Sequence, residues 1–365
     1  MTPLCLNARF LTRPGTGVDR AALELTRALL DQGLTDLRAL MPDRPLGPAH
    51  AIPPALSQRI AAIPAPGPGA LWEQSVLPAL ARGQPLLNLC NSSPLLHANQ
   101  AVMLHDAQVW DVPQAYPRAF RLWYRALLPR IGHRARRVFA PSVFARSRLE
   151  ARGVIPRDVA LILPNAACHM HRLRPDPGAL ARCGLGEKGY HLAVGSGHAH
   201  KNLARLARAA AARRDRDPPL VIAGGPAPPG TRALGRVTDR ELAALYRGAL
   251  SLALPSLTEG FGLPALEAMT LGTPVLAARA GALPEICRDA ALLLDPGDTP
   301  AWTRALDRLQ SDPVLAQELS QRGRARAAAF TWARSAARLA EALEALQPRG
   351  AKPAGGAWWR RSALP

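Results

Sequence analysis

Two carboxylates, Glu259 and Glu267, bracket a glycine-containing loop in the stretch Leu254-Pro-Ser-Leu-Thr-Glu-Gly-Phe-Gly-Leu-Pro-Ala-Leu-Glu-Ala-Met269. Gly260 and Gly262 permit close backbone approach and φ values that a side chain would block. Pro264 stands in the first turn of a predicted helix. The amides of Gly260, Phe261, Gly262 and Leu263 then lie near a helix N-terminus, after a strand that ends at Leu254. Such amides, with the helix dipole behind them, favour an anionic or strongly polar ligand. Glu267 falls about one turn into the helix and Glu259 precedes it, so two acids straddle the cradle and can accept hydrogen bonds from two sets of hydroxyls.

The elements that must hold this loop alternate in the manner of an α/β protein. In the first half, Leu4-Cys-Leu, Pro85-Leu-Leu-Asn-Leu, Ala101-Val-Met-Leu, Arg137-Val-Phe-Ala and Val159-Ala-Leu-Ile-Leu are short enough for buried strands. A helix with Val18, Ala22, Leu25 and Leu29 on one face follows the first of them. Proline-rich stretches near 42–54 and 64–68 read as loops. The region 171–188, poor in periodicity and rich in proline and glycine, reads as a linker between domains 1–170 and 189–333. A second series then runs through His191-Leu-Ala-Val, Leu220-Val-Ile-Ala, Ser251-Leu-Ala-Leu, Thr273-Pro-Val-Leu-Ala and Ala291-Leu-Leu-Leu. Two helices close the chain, one bearing Trp302, Ala305, Leu306 and Leu309, the other at 334–347, expected to cross back to the first domain. The tail 348–365, with Trp358-Trp359, is expected to be mobile. Two such doubly wound halves bind ligands outside the carboxyl ends of their strands.

The whole is 365 residues, enough for two domains at roughly 100–200 residues each. No window approaches a membrane-spanning apolar run, and the N-terminal residues do not read as a signal peptide. A cytoplasmic location is the expectation, with the inner face of the plasma membrane as a site of peripheral contact. The formal charge is +19, carried almost wholly by arginine, because only Lys188, Lys201 and Lys352 are lysines. A genome rich in G and C would favour arginine over lysine. The deficit of acid still points to an anionic partner: phosphates, nucleic acid or an anionic membrane face. Five cysteines without CxxC spacing (Cys5, Cys90, Cys168, Cys183, Cys287) argue against a disulfide framework and fit a reducing compartment.

Glu259 and Glu267, with seven residues between them inside Glu-Gly-Phe-Gly-Leu-Pro-x-Leu-Glu-Ala-Met, resemble the E-x7-E motif of glycosyltransferase family 4, the group 1 glycosyl transferases. Gly272-Thr-Pro-Val-Leu-Ala, Gly281-Ala-Leu-Pro-Glu-Ile and Asp289-Ala-Ala-Leu-Leu-Leu-Asp-Pro296 extend the likeness, which is dense over most of 190–340. Thr16-Gly-Val, His105-Asp106 and the region 116–165 carry it less specifically into the first half. The resemblance implies a GT-B fold, two Rossmann-like doubly wound domains facing across a cleft, with 1–170 binding the acceptor and 189–333 the nucleotide-sugar donor, and sugar transfer with retention of configuration. No metal or other cofactor is implied. The donor would be a nucleotide-diphosphate sugar.

Carried over position by position, Glu259 would contact donor-sugar hydroxyls, and the backbone of Gly260, Phe261, Gly262 and Leu263 would bind hydroxyl and diphosphate oxygens. Glu267 would hold the ribose. Lys201, in Gly195-Ser-Gly-His-Ala-His-Lys-Asn202, matches the diphosphate-binding lysine, whose ammonium would stabilise the leaving group. His105 matches a first-domain histidine near the reacting sugar, and Gly15 and Gly17 match a glycine loop near the donor phosphates. The chain departs from its relatives at Ser196 and His200, where many of them carry an arginine. A weaker phosphate grip, a titrating His200, or an arginine from elsewhere would each account for that.

Three features are set aside. Asp215-Arg-Asp217 has the metal-binding D-x-D pattern of another fold and reads as a solvated loop. Cys168-His-Met-His171 lacks a second cluster to complete a tetrahedral metal site, and His198 and His200 are likewise better placed for phosphate than for zinc. Trp358-Trp359 beside Arg360-Arg361 is too short for a strong interfacial helix. The expected function is transfer of a hexose, with mannose from GDP-mannose as first choice, to a glycan or lipid-diphosphate acceptor in polysaccharide biosynthesis. Base choice would be read largely by backbone near 224–226 and 236–238. The alternatives are a non-catalytic nucleotide-sugar-binding homologue and, on charge alone, a nucleic-acid binder. The 5% aromatic content speaks against the last, so no nucleic-acid partner is expected.

Overall fold

The computed structural model describes residues 3–47, 52–63, 69–213, 218–344 and 346. The chain separates into two compact units, one of residues up to Asp111, Pro117–Asn165 and from Trp332 onward, the other of Val112–Tyr116 and Ala166–Thr331.

The first unit is built on a sheet of β1 (Leu4–Asn7), β2 (Leu37–Pro42), β3 (Ile60–Ile63), β4 (Leu86–Asn88), β5 (Gln100–Met103), β6 (Arg137–Ala140) and β7 (Leu161–Ile162). Their spatial order is β3-β2-β1-β4-β5-β6-β7, and every pairing is parallel. Strands covered on both faces are apolar without alternation, as in β1, where Leu4, Cys5 and Leu6 are all fully buried. The helix Gly17–Asp31 starts at a capping box in which Thr16 and Asp19 satisfy each other's backbone amides. The second unit holds β8 (His191–Val194), β9 (Leu220–Ala223), β10 (Arg232–Gly235), β11 (Ser251–Leu254), β12 (Val275–Ala278) and β13 (Leu292–Leu294), in the order β10-β9-β8-β11-β12-β13 and again all parallel. Both orders reverse direction once, between β1 and β4 and between β8 and β11. The Rossmann arrangement places ligand crevices at that reversal.

Several elements differ from expectation. Strands β2, β3 and β10 join the sheets although the sequence reading places no strands there; β3 is the short apolar run Ile60-Ala-Ala-Ile63 at the sheet edge. Pro42 and Arg38 interrupt β2, and β10 is a largely exposed edge strand. A third helix, Pro313–Ala328, lies between the two expected at the end of the chain. Its Ala/Arg/Gln sequence carries no apolar stripe, and Pro313 with the Asp312 cap starts it. The stretch read as a linker contains the helix Ala179–Arg182, which packs on the helix Asp239–Gly248 of the second unit. Val112–Tyr116 groups with the second unit, where the Tyr116 ring stacks on His198 with centroids 6.3 Å apart. The tail 348–365 and the Asp215–Asp217 pair lie outside the described residues.

The helix Trp332–Glu344 belongs to the first unit and packs along the helix Gly17–Asp31. Gln32 donates to Ala333 O at 2.6 Å, Ser335 to Pro164 O at 2.6 Å, and Asn99 to Leu346 O at 3.1 Å. Leu339 and Leu343 are fully buried there. Replacing Leu339 with alanine should therefore destabilise the chain by about 2–5 kcal/mol, the cost of a large-to-small core change. Denaturant unfolding measures it, and an unchanged midpoint would refute this packing.

Candidate active site

The reversal point of the second sheet gathers the residues of the loop after β8 and the loop after β11. Asn202, at φ +56°, ties them together by donating to Pro255 O at 3.1 Å and to Pro296 O at 3.0 Å. The amide of Leu257 donates to His200 O at 2.8 Å. This tie brings Lys201 Nζ within 2.7 Å of Glu259 Oε1, which also accepts from Ser256 Oγ at 2.7 Å. Burial pushes the Glu259 carboxyl up, but the Lys201 ammonium and these hydrogen bonds outweigh it and hold the group below its usual range. Glu259 is thus an ionised, oriented acceptor.

Glycines let the backbone close around that carboxylate. Gly281 adopts φ +62°, and a Cβ there would run into the backbone of Glu259, whose carbonyl accepts from the amide of Ala282 at 2.9 Å. Gly262, at φ +101°, caps the helix Leu263–Thr270. A side chain on it would press on Leu283 Cδ2 at 2.6 Å. Gly260, Phe261 and Leu263 complete the turn, and the buried Phe261 ring meets the edge of Phe330 at 5.9 Å. The first-turn amides of this helix are those an anion would use. Across the loop, Gly224 sits at φ +113°, where a Cβ would come to 3.0 Å from Gly195 O. Close backbone approach therefore sets the β8 and β9 loops as well.

Glu267 is buried and held from two sides. Tyr246 donates its hydroxyl to Oε2 at 2.9 Å, and His169 Nε2 lies 3.3 Å from Oε1. His169 comes from the segment weighed above as a metal motif, and it serves a carboxylate. Among the described residues, no group of three or more His, Cys, Asp and Glu side chains could hold a metal ion. Ser196 is exposed. His200 does not act as the second cation: burial, then neighbouring Lys201, pushes its imidazole down to about 4, so it is neutral at physiological pH. Arg205, in the helix after Lys201, donates to Gly297 O, and Arg326 donates to Glu285 O and Ile286 O. Tyr246, His169, Ser256, Asn202 and Gly281 were not singled out from sequence. His169, Asn202, Ser256 and Gly281 lay inside quoted stretches without a role of their own, and Tyr246 lay outside them all.

The remaining expected residues form a group of their own in the first unit. Gly15, at φ +88°, shapes the loop after β1, and Gly17 is the first residue of the helix that Thr16 caps. Asp19, on the first turn, is fully buried and accepts from Arg13 Nε at 2.7 Å. His105 follows β5, with Nε2 donating to Leu89 O at 2.9 Å. Burial lowers its pKa to about 4, so the ring is neutral. Because Nε2 carries the proton, Nδ1 is left as a hydrogen-bond acceptor.

Residues 185–326 match the family model described as glycosyl transferases group 1. This segment is a group 1 glycosyl transferase domain. The D-inositol 3-phosphate glycosyltransferase of Salinispora arenicola is 39% identical over 212 residues, covering 50% of this chain and 47% of the relative. The O-antigen chain mannosyltransferase B of Escherichia coli is 29% identical over 251 residues, 62% of this chain and 65% of the relative. The chain thus aligns with about half to two thirds of the length of these curated relatives. Sucrose-phosphate synthase from Thermosynechococcus elongatus superimposes with a TM-score of 0.71 at 21% identity, over 95% of this chain and 99% of the other. HepE from Anabaena, in complex with UDP and glucose, does so with 0.73 at 15% identity, over 94% and 100%. These likenesses show a shared fold, the GT-B pair of Rossmann-like domains.

Two outcomes follow for the group 1 domain and its partner unit. Gly281→Ala should cost at least about 1–2 kcal/mol, since alanine disfavours the left-handed region and its methyl meets the Glu259 backbone. Chemical denaturation reads this, and wild-type stability would mean that the loop has room. His200 and His105 titrate near 4 when folded against 6.5 otherwise. Between those values the unfolded chain binds more protons, so stability should climb as pH rises through that window and level off above it. Glu259, with its folded pKa depressed, contributes stability that is present above about 4.5 and lost as pH falls further. Urea midpoints across the range test this, and a flat profile would contradict the burial of these groups.

Proposed function

We propose that this chain is a retaining glycosyltransferase, transferring a hexose from a nucleotide-diphosphate sugar to a glycan or lipid-linked acceptor in cell-surface polysaccharide biosynthesis. The observation that carries the proposal is the Lys201–Glu259 pair, 2.7 Å apart beside a helix N-terminus at the reversal of the second sheet. In this reading Lys201 and the amides from Gly260 to Leu263 take the donor diphosphate, with Gly15, Gly17, Ser196 and His200 lining the donor loops. Glu259 holds sugar hydroxyls and favours positive charge developing on the ring, and Glu267, braced by Tyr246 and His169, takes the ribose. The bond from anomeric carbon to phosphate oxygen breaks, and the acceptor oxygen bonds to that carbon on the same face. The acceptor's proton passes to the departing phosphate oxygen. His105, neutral, accepts a hydroxyl of the sugar through Nδ1. The ammonium and helix dipole carry the leaving group's charge, without a metal cofactor.

GDP-mannose is the donor in this proposal, supported by relatives named as mannosyltransferases. UDP-glucose is the second reading, favoured by the HepE complex with that compound. The charge of +19 supports peripheral contact with an anionic membrane from the cytoplasmic side. Among the described residues no helix is long and apolar enough to cross a membrane.

Turnover of GDP-mannose and UDP-glucose, followed as donor hydrolysis and transfer, tests the proposal. Lys201→Ala and Glu259→Ala should each lower kcat by about 10²–10³, the scale of losing one charge-stabilising group, and EDTA should leave the rate unchanged. Nucleotide binding without any turnover would favour the non-catalytic homologue. No thermal shift with UDP or GDP would refute both.

A further inference from the structure

The loop from Gly195 to His198, between β8 and the turn Ala199–Lys201, has little in its own sequence to hold it still. It carries two glycines, and Ser196 to Ala199 are exposed. Glycine gives the backbone more freedom than any other residue. The loop after β9 supplies one wall. A Cβ on Gly225 would lie 2.8 Å from the amide nitrogen of Gly197, and one on Gly197 would lie 3.0 Å from Pro226 Cδ.

A second hold comes from far earlier in the chain. The Tyr116 ring stacks on His198, with centroids 6.3 Å apart and planes at 28°. His198 stacks in turn on His200, at 5.8 Å and 15°. Both spacings lie within the range of about 4.5–7 Å at which aromatic pairs attract. The short turn Pro113–Ala115 also packs on the turn Ala199–Lys201. This column of rings ends at His200, whose carbonyl accepts from the Leu257 amide, and the next residue is the Lys201 that pairs with Glu259.

The segment that carries the ring is itself stiff. Pro113 opens its turn, which is closed by the Ala115 amide on Val112 O at 3.0 Å and the Tyr116 amide on Pro113 O at 3.2 Å. Pro117 confines Tyr116 to extended backbone, here φ −131° and ψ 143°. Just before the turn, Asp111 accepts from Arg148 Nε at 3.0 Å and from Arg152 Nη2 at 2.8 Å. Val112–Tyr116 groups with the second unit, although the chain on either side of it belongs to the first.

The geometry points to Tyr116 as a positioning residue for the donor loop: its ring, stacked on His198, holds Gly195 to His200 in the shape that receives the donor diphosphate. This rests on the transferase reading and adds to that site a residue from the first half of the chain. Tyr116 acts through His198 and the backbone, not on the reacting atoms. Its effect therefore falls on donor binding, because a loop ordered beforehand costs less to bind. The Lys201–Glu259 pair is held separately by Asn202 and Ser256, so leaving-group stabilisation outlasts the loss of the ring.

The test uses the full chain and the variants Tyr116→Ala, Tyr116→Phe and His198→Ala. Deuterium uptake of peptides spanning 195–202 is read first, without ligand. Tyr116→Ala should speed it by about two- to tenfold, the scale of one aromatic pair, and Tyr116→Phe, which keeps the ring, should match the parent. His198→Ala should behave like Tyr116→Ala, and the double variant should add little, since both remove one contact. Next, GDP and UDP are titrated calorimetrically, and turnover of GDP-mannose and UDP-glucose is followed. Tyr116→Ala should raise Kd and donor KM by the same two- to tenfold, with kcat changed by less than about twofold. Parent-like uptake in Tyr116→Ala, equal acceleration throughout the molecule, a phenylalanine no better than alanine, or a loss confined to kcat would each overturn the assignment. Should Tyr116→Ala fail to fold, His198→Ala, at an exposed side chain, carries the same outcomes. A parent chain that binds neither nucleotide yet shows the exchange pattern would sink the transferase reading and keep the hold of the ring on the loop. Nucleotide binding in the parent with an unchanged loop in the variants would sink the positioning role alone.

Discussion

An ammonium and a carboxylate, both largely withdrawn from water, lie 2.7 Å apart where the second sheet reverses. Neither group would tolerate that position unpaired, because a desolvated charge needs a counter-charge and filled hydrogen-bond sites. The neighbouring chain is shaped to supply them. Ser256 gives Glu259 Oε1 a second donor, Asn202 ties the two loops, and Gly281 lets a third backbone segment approach. The pair therefore fixes the loop geometry as much as the loops fix the pair. It also leaves a poised electrostatic balance, since an incoming diphosphate can take over part of the partnership of Lys201 while sugar hydroxyls take over that of Glu259.

The same device recurs in the first unit with arginine in place of lysine. Asp19 and Glu73 are buried carboxylates on the helices that follow β1 and β3, each bracing a guanidinium. A planar fork suits this work because one edge can be committed to the bracing acid while another stays available. Two sheets of like topology thus present cations at their reversal points by like means. Supporting acids lie in the protein rather than in solvent, so the cations are set before any ligand arrives and little ordering cost remains for binding.

Much of this was legible from sequence because it depends on residues that only one backbone geometry accommodates. The loop from Glu259 to Glu267 declared itself through Gly260, Gly262 and Pro264, and buried parallel strands such as Ser251–Leu254 are apolar runs that need no context. Strand β10 escaped because an exposed edge strand has no apolar signature, and the helix Pro313–Ala328 because alanine and arginine give no stripe. The bracing residues were hidden for a different reason. Tyr246 and His169 reach Glu267 from 21 and 98 residues away in the chain, and nothing local marks them. The sense of His200 was also beyond the sequence, since burial decides whether an imidazole beside a lysine carries charge.

The last described helix, Trp332–Glu344, is a structural part of the unit that begins at the other end of the polypeptide. During synthesis the opening strands emerge first, yet the surface of the helix Gly17–Asp31 that this segment covers must wait until the ribosome has read more than 300 further residues. The nascent first unit is therefore held incomplete, with an apolar helix face uncovered, while the second unit has all of its strands in hand. The order of completion is the reverse of the order of translation.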